Sequence, residues 1–155
     1  MLGKECRDNS CPKCELVELI PKVQDWFVVR NLVEADPHGQ LLKLGEELGE
    51  LYEGIAKNNQ LMIIDAIGDM IVVMIGYSLQ TGNNFDFTQG YTIIPEYNVF
   101  SLSKDLYGVS LENIMFGLTQ IAYRYGTNIT TCLNYAYNEI KDRTGKLVGN
   151  VWVKD

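Results

Sequence analysis

The segment from Leu61 to Leu79 constrains this chain most, because it is apolar almost throughout yet carries two aspartates, Asp65 and Asp69. As a helix it is long enough to cross a bilayer. Each aspartate would cost roughly 2.5–3.5 kcal/mol at a bilayer centre, both flanks are polar, and no Lys/Arg cluster marks a cytoplasmic side. The segment is therefore expected to be the central helix of a soluble, cytoplasmic protein rather than a membrane partner. Apolar residues all round its circumference suit a helix covered on every side. Composition agrees: 155 residues with 46% apolar and 21% charged side chains fit one globular domain. A net charge of −7 and a pI near 4.7 argue against nucleic-acid or anionic-membrane binding, which would want a basic face, without excluding nucleotides. No apolar stretch of signal-peptide type follows Met1, so no secretory signal is expected.

Helical spacing recurs on both sides of this segment. Leu16, Val17, Leu19, Ile20, Val23, Trp26, Phe27 and Val29 predict a helix from about Cys14 to Leu32, bent or split at Pro21. Asp36-Pro37 reads as a helix start, with Asp as cap and Pro at the first position. The helix it opens runs through Leu41, Leu42, Leu44, Leu48, Leu51 and Ile55 and fades at Lys57-Asn58-Asn59. Residues 82–109 mix Gly, Pro, Asn and aromatics and form an insertion too long for a simple loop, with room for short helical turns. Periodicity returns over Ser110–Tyr125 and Thr130–Arg143. Lys146 to Val153 reads as a hairpin turning at Gly-Asn. The expected fold is all-α, a helical bundle with an antiparallel metal-binding helix pair and a small C-terminal β-hairpin. Residues 1–14 read as a cysteine-containing appendage and 15–155 as a single domain.

Glu47 and Glu50 stand three apart and Asp65 and Asp69 four apart, so each pair shares one face of its helix. The short connection at Lys57 to Gln60 makes the two helices antiparallel neighbours. Folding about that turn sets Glu50 opposite Asp65 and Glu47 opposite Asp69. Four carboxylates so placed repel unless a cation lies between them. Hard oxygen ligands on facing helices suit Mg²⁺, with Mn²⁺ as a substitute, and Mg²⁺ commonly binds phosphate oxygens too. Lys43, one turn before Glu47, either pairs with a carboxylate or touches a phosphate. Glu46 and Glu53 fit a solvated face. Gly49 and Gly68 suggest close helix approach or room for a ligand.

The stretch Gln40-Leu41-Leu42-Lys43-Leu44-Gly45-Glu46-Glu47-Leu48-Gly49-Glu50, followed by Asp65-Ala66-Ile67-Gly68-Asp69, resembles the MazG-type nucleotide pyrophosphohydrolases of the all-α NTP pyrophosphohydrolase superfamily. Their pattern is EExxE and then a second acidic pair on the next helix, usually ExxD. The tail from Ala136 to Lys154 is similar to the end of small phage-type members, so the resemblance covers about residues 24–81 and 116–155. It implies Mg²⁺-dependent hydrolysis of NTPs or dNTPs to a monophosphate and pyrophosphate. It further implies Glu47, Glu50 and Asp69 as metal ligands and Glu46 as a ligand or water-orienting base. Ala66 stands where the family has Glu, and Asp65 is the substitute ligand.

Cations for the outer phosphates are expected from Arg143 and Lys146, with Asn138 one turn earlier. Trp26 or Tyr137 would serve the base. The resemblance also implies a homodimer or homotetramer. His38, at a helix start, has a structural role. Cys6, Cys11 and Cys14 are three thiols of a zinc site only if His38 or Cys132 folds over; otherwise they are free. The contrasting function is a helical metal- or nucleotide-binding or interaction module without turnover.

Overall fold

The computed structural model describes residues 12–155. Six helices and one hairpin occur among them: α1 (Pro12–Val29), α2 (His38–Ala56), α3 (Gln60–Thr81), α4 (Ser101–Tyr107), α5 (Leu111–Arg124), α6 (Ile129–Ile140), β1 (Gly145–Val148) and β2 (Val151–Lys154). The fold is helical with a small antiparallel hairpin, as the periodicity predicts. Pro21 lies inside α1 on its exposed side, and the helix continues through it.

α3 is the axis around which the rest is arranged. Ile63, Ile67, Met70, Ile71, Met74 and Ile75 are fully enclosed. The helix has the length and composition of a membrane span, yet two-thirds of that stretch, 67%, is buried inside the protein. It packs most extensively on α2, then on α6, with α1 and α5 completing its cover. The α2–α3 turn is set by Asn58, at a left-handed φ of 48°, and by Asn59, whose side chain caps Met62 N at 3.2 Å. Gly68 lets α6 approach, because a methyl group there would overlap the Cys132 carbonyl and the Ala136 side chain.

The insertion is tied down away from the hairpin. Gln120 clamps it in both directions, accepting from Ile94 N and donating to Thr92 O, each at 2.8 Å. Tyr52 of α2 donates to Val99 O at 3.1 Å. The hairpin pairs Leu147 with Trp152 and Val148 with Val151, turning at Gly149 with φ 61°. It rests on the start of α2, where a methyl group on Gly39 would collide with the Asn150 carbonyl. Asn150 also donates to Asp36 at 3.3 Å, and Asp36 itself caps His38 N at 2.9 Å. Arg30, stacked 4.4 Å over Trp26, donates to Arg143 O at 2.8 Å and to Lys141 O at 3.3 Å. Trp26 in turn donates to Ile140 O at 2.9 Å. The ends of α1 and α6 and the hairpin thus meet at one corner, beside the first turns of α2.

Candidate functional site

Glu47 of α2 and Asp69 of α3 act on one another as antiparallel register requires, whereas Asp65, expected opposite Glu50, is influenced by Glu139 and Arg143 instead. Glu47 is 6% exposed. Its Oε1 lies 3.3 Å from Lys43 Nζ, while its Oε2 is buried with no hydrogen-bond partner among the described residues. Burial pushes this carboxyl above its usual range, Lys43 opposes that, and Glu50 and Glu46 add to it. Asp69 is raised further, to about 7, by burial first and then by Glu47 and Asp65; Arg143 opposes the shift and Glu50 reinforces it. Asp65 is raised by burial and by Glu139, again against Arg143. Glu46 and Glu50 are exposed. One carboxyl, Asp69, therefore feels Glu47, Glu50 and Asp65 together, and a proton or a cation relieves the repulsion.

Two basic side chains already lie among these acids. Lys43 bridges Glu46 at 3.0 Å and Glu47 at 3.3 Å. Burial works against its ammonium, but the two glutamates outweigh it and raise its pKa. Arg143, just past α6, lies 3.9 Å from Glu139 and faces Asp65 and Asp69. Among the described residues, no three His, Cys, Asp or Glu side chains converge as a ready-made metal cage. The donor set nevertheless fits a hard divalent cation in type: every group is a carboxylate, and Glu47 Oε2 is a buried acceptor with nothing to accept.

A cavity of about 450 Å³ opens next to the acids, between α2, α3 and the hairpin. Lys43, Glu46, Arg143 and Lys154 are its charged lining residues, and Trp26, Val72, Val73 and Trp152 form much of its apolar wall. A shallower cavity of about 560 Å³ adjoins it at Arg143 and Trp152 and carries Arg30 and Lys146.

No family model matches the chain, and no solved structure matches it. A stretch of 62 residues is 48% identical to the "Uncharacterized 18.2 kDa protein in rep-hol intergenic region" of Haemophilus phage HP1 (strain HP1c1). That stretch is 39% of this chain and 38% of the phage protein, so the chain spans well under half the length of the relative it matches.

The residues expected to act on substrate separate into two groups. Lys43, Arg143 and Lys146 border the cavities, and Trp26 lines the deeper one. Asn138 is exposed on α6, and Tyr137 packs on the core; neither borders a cavity. Glu53 is exposed and ion-paired with Lys57. Gly49 faces open space among the described residues, with nothing there for an added methyl group to meet, so it marks no close helix contact among them. His38 is exposed at the start of α2. Cys6 and Cys11 lie outside the described residues, as does the Cys14 side chain, and the zinc expectation lies there with them. Cys132 is buried against α3, where burial pushes its thiol up to about 11.

Three residues near the site were missed by sequence reasoning. Glu139 faces Asp65, and its signal was the four-residue spacing to Arg143. Gln40 lines the cavity three residues before Lys43, on the same helix face. Trp152 walls both cavities, and only hairpin docking brings it there.

Proposed function

We propose that the protein is a Mg²⁺-dependent nucleoside triphosphate pyrophosphohydrolase, the activity implied by the resemblance to MazG-type enzymes. The observation that carries this reading is Glu47 Oε2, a buried carboxylate oxygen without a partner among the described residues, whose carboxylate helps to raise Asp69 to about 7. Glu47, Glu50, Asp65 and Asp69 would hold the metal, making α2 and α3 the metal-binding helix pair. The bound ion supplies charge neutralisation for the phosphates and a more acidic water. Glu46, exposed and adjacent, would orient an attacking water and take its proton as the water oxygen adds to the α-phosphorus. The P–O bond between the α and β phosphates breaks, releasing a monophosphate and pyrophosphate. Lys43 exchanges a carboxylate for a phosphate oxygen, and Arg143 and Lys146 receive the outer phosphates from the shallower cavity; Asn138 would need the substrate to reach the exposed face of α6.

The direct test uses Glu47→Gln and Asp69→Asn. Both variants should keep the helical circular dichroism of the parent and lose pyrophosphate release by two orders of magnitude or more (on the order of 10²–10³). Undiminished turnover in both would sink the assignment of these residues. One observation favours a second reading, a helical binding or interaction module without turnover. Lys43 already pairs with both Glu46 and Glu47, and no acids converge into a cage among the described residues. Pyrophosphate release by the parent protein separates the two.

A further inference from the structure

We propose that the 450 Å³ cavity receives the nucleobase of the triphosphate, held against the two tryptophans and read at its edge by Gln40, a placement that rests on the pyrophosphohydrolase reading. Position is the first argument. Lys43 precedes Glu47 by one turn, and Val72 and Val73 follow Asp69 by one turn, so the cavity begins about 5.4 Å along the helix pair from the acids. That offset suits a sugar linking a phosphate at the carboxylates to a ring in the cavity. Two of its charged lining residues adjoin the acids, Lys43 at Glu47 and Arg143 at Asp65 and Asp69, on the side where the phosphates would lie.

Wall chemistry is the second argument. Trp26 and Trp152 meet edge to face, with ring centroids 5.7 Å apart; Arg30 covers one face of Trp26, so the part-exposed Trp152 ring is the main aromatic wall beside Val72 and Val73. A planar heterocycle matches such a wall better than a flexible chain does. Specificity requires a polar group that is not already engaged. The Gln40 amide makes no hydrogen bond among the described residues, and it offers a donor and an acceptor side by side, the pattern that pairs with a base edge. The hairpin supplies Trp152, so its seat on Gly39 becomes part of the pocket.

The chain has two tryptophans, and both line this cavity, so intrinsic fluorescence reports on it without a label. The full-length protein is titrated in EDTA with nucleosides of each base, with the matching triphosphates and with inorganic triphosphate, correcting for absorbance. Nucleosides and nucleotides should quench saturably and inorganic triphosphate should not. Gln40→Ala should weaken nucleoside binding about two- to tenfold, the loss of one or two hydrogen bonds. Trp152→Phe, which keeps an aromatic wall, should still bind and report through Trp26. Linear quenching by nucleosides, or equal quenching by inorganic triphosphate, overturns the pocket, and unchanged affinity in Gln40→Ala overturns the role given to that residue. Pyrophosphate release measured in parallel keeps the two ideas apart: release without saturable quenching sinks the pocket alone, and quenching without release sinks the hydrolase alone.

Discussion

At Glu47 one carboxylate oxygen rests on Lys43 and the other has no partner among the described residues, while burial and the neighbouring carboxylates raise Asp69 to about 7. Both features give a metal something to displace. Protonated Asp69 favours the folded, metal-free protein below the ordinary aspartate range, and that contribution is lost as pH rises from about 4 through about 7. A divalent cation needs the ionised form, so it competes with this proton. The rise in melting temperature produced by Mg²⁺ should therefore be larger at pH 8 than at pH 5.5, as read by calorimetry in Mg²⁺ and in EDTA. Equal shifts at the two pH values would contradict the competition. These aspartates were legible in the sequence because acids inside an apolar helix need a physical reason. Glu139 was not legible, because its meeting with Asp65 depends on how α6 docks on α3.

The docking of elements rests on a few close contacts, and each gives a measurable loss. Gly68→Ala forces a methyl group into the Cys132 carbonyl and should destabilise the protein by about 1–3 kcal/mol in urea unfolding. Arg30→Ala removes the donors that serve Lys141 O and Arg143 O at the end of α6. Its cost should be about 1–3 kcal/mol, with a raised KM because Arg143 loses its anchor. Stability unchanged in both variants would mean that these contacts do not hold the site together. The helices and the hairpin could be read from periodicity, caps and the Gly149-Asn150 turn, since those signals are local. Where the hairpin lands could not, because its contact between Gly39 and Asn150 spans most of the chain. Gly68 read equally as helix contact or ligand room, and packing against α6 decides for contact; Gly49, with the same signal, faces open space.

For the whole molecule, the acids, the cavity and the cationic end of α6 lie on one side, and the tethered insertion borders neither cavity. The exposed apolar residues Leu42, Phe100 and Tyr107 lie outside that arrangement. The expected dimer or tetramer is checked by sedimentation velocity, and a monomer at micromolar concentration would contradict it. The most direct measurement is the release of pyrophosphate from a panel of NTPs and dNTPs, with Mg²⁺ and with excess EDTA. The account predicts equimolar monophosphate and pyrophosphate from at least one nucleotide in Mg²⁺ and none in EDTA. Release of orthophosphate instead, or no turnover of any nucleotide in Mg²⁺, would contradict it.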